Sequence, residues 1–427
     1  MKCSLPSTTV NVNSHENTAM EAKHIMTDWA IELFINTDNG RVPLSEASSG
    51  LPLPRGPDRD APLLHYGPYL KSISAFFDEN RAARLLQALK TLSGRELAAR
   101  EIRGVALISE KHGALYQVAR LVVSLGRDMY SLAVNAATTE EQKTFLEAES
   151  KLLADLHARF RHPYLPRPIL KGNVRYESPS GEPRVLELLV TEWFEGFSEF
   201  HLSCHPGSPQ GIGISVWESD GSKTFLSPPE EEDLYRKAAA ILTAYFDTRS
   251  FGQIYPWHHA AGDFVVCRRT HPVSVRLITA RGYRPIGDFP ASDGSLVIAA
   301  LHFFINLSLR MRLDRLDGTG ELAWAGRHCL RGIVEGFVHS WTLKRQDDAT
   351  LPSADHLLNL LGQFSRDDRI SFGQLVLEDG MVERDETEFL ACRLACHLDE
   401  LSETVHGMRD QIDGSGARTG DHWRNLQ

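Results

Sequence analysis

The apolar residues of this chain change period along its length, and the changes outline its architecture. Between Pro68 and Arg100 they fall at helical spacing (Leu70, Ile73, Phe76, Phe77, then Leu85, Leu86, Leu89, Leu92). That spacing predicts two helices broken around Asp78-Glu79-Asn80. Apolar runs at Val105 to Ile108, Leu115 to Val123 and Tyr130 to Val134, separated by turn residues, predict three strands. From Thr139 to about Phe160 the helical period returns, with Leu146, Leu152, Leu153 and Leu156 as the apolar stripe. Thr138 or Thr139 can cap this helix, Glu140 and Glu141 suit the positive end of its dipole, and Pro163, Pro166 and Pro168 end it. Two more strands follow, the second dense in apolar residues from Val185 to Trp193.

The pattern then turns mostly helical. Predicted helices run from Glu230 to Tyr245, Ser295 to Leu313, Glu321 to Trp341, 354 to 365 and 386 to 406. A strand pair, Phe264 to Cys267 and Val273 to Ile278, is inserted among them. Strands with one embedded helix, followed by a block of helices, make an α+β chain. The expected division is a flexible N-terminus (1–24), a partly helical N-terminal extension (25–100), a strand-rich lobe (101–203) and a Gly/Ser/Pro-rich junction or insertion (204–230). A helical lobe (231–345), a C-terminal helical extension (346–406) and a flexible tail (407–427) complete it.

Charge narrows the function classes. The formal net charge is −10, which argues against non-specific nucleic-acid binding because that needs a basic face. No apolar stretch is long enough to span a membrane, and the first residues lack the apolar core of a signal peptide. The expectation is a cytoplasmic protein whose six cysteines (Cys3, Cys204, Cys267, Cys329, Cys392, Cys396) are free thiols. Cys392 and Cys396 share one face of a predicted helix, but no spacing supports a zinc site. A dinucleotide enzyme is argued against by the lack of GxGxxG after a strand, and a serine hydrolase by the lack of GxSxG.

The most informative segment is Pro256-Trp257-His258-His259-Ala260-Ala261-Gly262-Asp263, which leads into the apolar strand Phe264-Val265-Val266. With the strand Ser131-Leu132-Ala133-Val134-Asn135 and the run Leu188 to Gly196, it resembles the protein-kinase-like fold over about residues 100–345. The likeness is to the aminoglycoside-phosphotransferase and lipopolysaccharide-kinase branch. The resemblance implies a bilobal architecture and a nucleotide cleft for ATP and Mg2+. Gly113 then falls in the phosphate-covering hairpin, Asn135 where a lysine is expected, and Glu149 on the helix glutamate. Glu192 and Trp193 fall at the hinge that would face an adenine. His258 falls on the catalytic aspartate, with His259 beside it, and Asp263 falls on the metal-binding asparagine. A rival register places Gly262-Asp263 on the Gly-Asp pair of the loop. Thr279, at the end of the following strand, falls on the second metal-binding aspartate.

Three charged positions are thus altered: lysine to Asn135, base aspartate to His258, metal aspartate to Thr279. Phosphoryl transfer depends on positioning and charge neutralisation, so these losses predict a pseudokinase with weak or no nucleotide binding that acts through a protein partner as a binding or regulatory module. The competing expectation is an active ATP-dependent phosphotransferase for a small molecule, with His258, His259 and Asp263 at work and Lys111, Arg281 or Arg284 supplying charge. Lys143 and Lys151 are further candidate substitute cations. A third reading is a structural α+β protein with no nucleotide history, which strands that fail to form one five-stranded antiparallel sheet beside the 139–160 helix would favour.

Overall fold

The computed structural model describes residues 29–37, 40–54, 63–112, 115–178, 181, 183–208, 210–218, 221–257, 262–289, 294–380 and 383–414. The chain opens with strands β1 (Ile31–Thr37) and β2 (Gly40–Pro43), the short helix α1 (Glu46–Ser49) and the long helix α2 (Tyr66–Ser93). The predicted break in this segment is not a gap between two helices. Hydrogen bonding runs through, and the backbone instead turns at Ala82, whose φ is +60°. Strands β3 (Gly104–His112), β4 (Gln117–Leu125) and β5 (Asp128–Ala137) follow, then helix α3 (Glu140–Arg159) and strands β6 (Pro168–Glu177) and β7 (Pro183–Glu192).

These strands form one seven-stranded sheet in the order β2-β1-β3-β4-β5-β7-β6. The five strands β3 to β7 are antiparallel throughout, and β1 adds to β3 in parallel. Alternation decides which side chains face which layer. Leu121 and Val123 of β4, with Leu132 and Val134 of β5, point into a core closed by Tyr69, Ile73, Phe77 and Leu85 of α2. Tyr116, Ala137 and Leu189 meet Leu146 of α3 on the other face. The described residues of the 25–100 segment are therefore part of the sheet and its cover. Thr139 caps α3 as expected, its side chain accepting from the Gln142 N–H.

The predicted junction at 204–230 is ordered where it is described. Strands β8 (Glu199–Cys204), β9 (Ile212–Trp217) and β10 (Lys223–Phe225) form a separate antiparallel sheet. Helix α4 (Pro228–Ala244) and strand β11 (Gln253–Ile254) lead to the hairpin β12 (Phe264–Cys267) and β13 (Ser274–Leu277), then β14 (Tyr283–Arg284) and α5 (Ser295–Arg310). The helix predicted from Glu321 starts late. Residues Leu313–Arg315 and Leu322–Trp324 pair as β15 and β16, and helix α6 runs Cys329–Asp347. A three-residue apolar run is too short for its period to be read.

Gly332 and Gly336 let α6 press against α4. A Cβ at Gly336 would lie 2.1 Å from the Arg236 carbonyl oxygen, so only glycine fits. The chain ends in α7 (Ala354–Gln363), α8 (Arg366–Asp379) and α9 (Arg384–Gly414). Helix α8 escaped the sequence pattern, and α9 continues past Gly407, where a mobile tail was expected to begin. The remainder of that tail, like residues 1–24, lies outside the described residues. Helices α7 to α9 share one core with α4, α5 and α6, so the 346–406 extension is not a separate layer.

Candidate functional site

Three of the positions singled out by the resemblance meet where the sheet and the helical part join. Glu149 points from α3, Thr279 follows β13, and Asp263 directly precedes β12. The Thr279 hydroxyl donates to Glu149 Oε1. Asp263, only 1% exposed, accepts at Oδ1 from Arg281 Nη2 at 2.6 Å. The hairpin register explains this closeness. Phe264 pairs with Leu277, and the Ile278 N–H donates to the Asp263 carbonyl at 2.7 Å, so residues 263 and 279 flank the same hairpin end.

Two further residues complete the cluster. Tyr116, just before β4, brings its hydroxyl toward Glu149 without a hydrogen bond of standard geometry. Arg281 lies close enough for its charge to act on both Glu149 and Tyr116. Burial pushes the Glu149 carboxyl up from its ordinary value. The hydrogen bond from Thr279 and the nearby Tyr116 hydroxyl oppose that shift, the Asp263 charge adds to it, and Arg281 opposes it. Burial, with the Glu149 charge behind it, pushes the Tyr116 phenol up in turn.

This has a pH consequence. Just above the ordinary glutamate value of 4.5, the folded chain still holds a proton that the unfolded chain has released. Stability therefore falls as pH rises through the window between that value and the raised one. Glu149→Gln keeps an acceptor for Thr279 and cannot ionise. It is expected to raise the urea midpoint at about pH 8 and to change little at about pH 4, which parallel unfolding curves measure.

The other predicted residues are placed differently. Asn135 lies opposite Val118 and Leu189, on the sheet face that meets α3, and no side-chain tie joins it to the cluster among the described residues. Lys143 and Lys151 pair with Glu140 at 2.7 Å and Glu147 at 3.1 Å along α3 itself. The Glu192 N–H donates to the Arg167 carbonyl at 3.0 Å and the Trp193 N–H to the Ser131 carbonyl at 3.3 Å, so both amides are already used. The Glu192 carboxylate pairs with Arg167. Gly113, His258 and His259 lie outside the described residues, as does the Lys111 side chain.

A second cluster sits beside Trp193, just past the end of β7. Arg120 of β4 is opposite Ala133 of β5, which shares a sheet face with Asn135. Its guanidinium lies 5.0 Å from the Trp193 ring centroid, 2.7 Å from Glu110 and 3.7 Å from Glu195. Asn36 of β1 also reaches this group, donating to Glu110 at 2.5 Å. Sequence reasoning missed Arg120 and Tyr116. A signal for Arg120 was available, since it is a charged residue in the middle of an otherwise apolar strand. Tyr116 had none, because its role depends on where α3 lands.

Among the described residues no three His, Cys, Asp or Glu side chains gather into a metal-binding group, and no helix is long and apolar enough to cross a membrane. No family model matches the chain, and no curated protein matches it.

Proposed function

We propose that this chain is a bilobal, kinase-like protein without phosphotransferase activity, a pseudokinase whose cleft is filled by its own side chains and which works as a protein-binding or regulatory module. The five antiparallel strands beside α3 support the architectural part of this reading. They are followed by the β12–β13 hairpin with Asp263 at its entry and Thr279 at its exit.

The observation that carries the functional part is the Arg281–Asp263 ion pair. The carboxylate that would face a metal ion is instead neutralised by a guanidinium from the same chain. Thr279, a weak ligand in any case, is tied to Glu149. At the hinge the amides of Glu192 and Trp193 are spent within the protein, and Arg120 stacks on Trp193. The residues present do not fit ATP with Mg2+. The one carboxylate at the metal-side position is already neutralised within the chain, which removes a charge that phosphoryl transfer relies on.

The test is ATP binding by thermal shift and calorimetry, with and without Mg2+, alongside labelled phosphate transfer. The expected result is no Mg2+-dependent stabilisation and no transfer above background. Transfer at an ordinary rate that Asp263→Ala abolishes would refute the reading and favour the active phosphotransferase.

A further inference from the structure

Cys392 and Cys396 have no part in the cleft. Both are free and exposed, whereas Cys267 and Cys329 are buried. Their four-residue spacing on α9 stacks them on successive turns of one face, with Cβ atoms roughly 5–6 Å apart. The helix beneath them is fixed, because Leu390, Leu394, Leu398 and Leu401 on its opposite side are packed into the main core. Two thiols are therefore held one turn apart on a helix whose opposite face is packed into the core.

We propose that Cys392 and Cys396 form a two-coordinate thiolate site for a soft monovalent cation of the copper(I) and silver(I) class. Two metal–sulfur bonds of about 2.3 Å in line span about 4.6 Å, which side-chain rotation reaches from the Cβ spacing of adjacent turns. Thiolate softness selects such ions over magnesium or calcium. Zinc is disfavoured because it needs two further donors. The nearest acids along the same face are Glu388 and Asp399. They are paired with Arg384 and Arg366, each at 2.9 Å, and no third ligand joins the cysteines among the described residues. Binding exchanges ions without redox change. Two S–H bonds break, two metal–sulfur bonds form, and two protons leave to solvent for each cation bound, so affinity rises with pH.

The experiment uses the full chain with Cys3→Ser and Cys204→Ser, titrated with silver(I) without added thiol, then alkylated with iodoacetamide and weighed by mass spectrometry. One equivalent of silver(I) is expected to protect Cys392 and Cys396 together. Adding either Cys392→Ser or Cys396→Ser is expected to abolish that protection at one equivalent while leaving the unfolding midpoint unchanged. A serine variant that fails to fold is replaced by the alanine one. Three outcomes overturn the proposal. These are protection of only one thiol per equivalent, undiminished protection in a single variant, and a silver-dependent dimer on size exclusion, which places the cation between two chains.

Discussion

A chain ending at Asp347 is expected to lose cooperative folding altogether. Helices α7 to α9 contribute Leu357, Leu358, Leu361, Val376, Leu377, Leu390, Leu394, Leu398, Leu401 and Val405 to the same core that α4, α5 and α6 build. At roughly 1.5–3 kcal/mol for each buried side chain, their loss exceeds the ~5–15 kcal/mol that stabilises a typical domain. The polar groups make the truncation worse. Arg310 and Arg312 are 5% and 2% exposed. Arg310 has Glu386 at 3.8 Å, and Arg312 has Glu400 at 2.6 Å, both acids from α9. Removing one side of such a pair strands a buried charge, which costs more than the pair is worth.

His397 joins the same network. Arg312 donates toward its Nδ1 at 3.3 Å, so the ring proton sits on Nε2 and is given to Ser308 Oγ at 3.0 Å. Ser308 in turn donates to the Ile305 carbonyl. Burial and the neighbouring Arg312 charge hold the His397 imidazole well below its ordinary pKa, so it stays neutral in this role. Urea unfolding followed by near-ultraviolet circular dichroism is the measurement. A sharp transition near the full-length midpoint in the truncated chain would show that the C-terminal helices are an independent unit.

The same helices show where sequence reasoning stopped. Helix α3 was legible to within a residue or two because its stripe and its Thr139 cap agree. Strand β4 was legible because every second residue is buried. Helix α8 was invisible. Only Gly373, Val376 and Leu377 among its residues are buried, so no apolar stripe marks it, and it is fixed by packing on α9 and α5 rather than by its own pattern. In the cleft, Glu149, Asp263 and Thr279 were placed by their order along the chain. Arg281 was one of five candidate cations, and nothing local separated it from Arg284. Its selection is tertiary, since it follows from the hairpin end that brings residue 281 back beside residue 263.

Arg281→Met is therefore the substitution expected to matter most within the cleft. It keeps much of the side-chain volume and deletes the charge, leaving the Asp263 carboxylate at 1% exposure without its guanidinium. The expected loss is about 2–3 kcal/mol. That is less than the ~3–5 kcal/mol typical of a fully buried pair, because water still reaches 27% of the Arg281 side chain. Asp263→Asn alone is expected to cost less, because it leaves Arg281 able to turn toward solvent. The double variant Arg281→Met with Asp263→Asn is expected to recover a large part of the single Arg281→Met loss, since no buried charge remains. Denaturant unfolding of all four chains closes the cycle. A coupling near zero would mean that the ion pair does not hold the cleft together. Asp263 would then be free to face another cation, and the active phosphotransferase would become the better account of this chain.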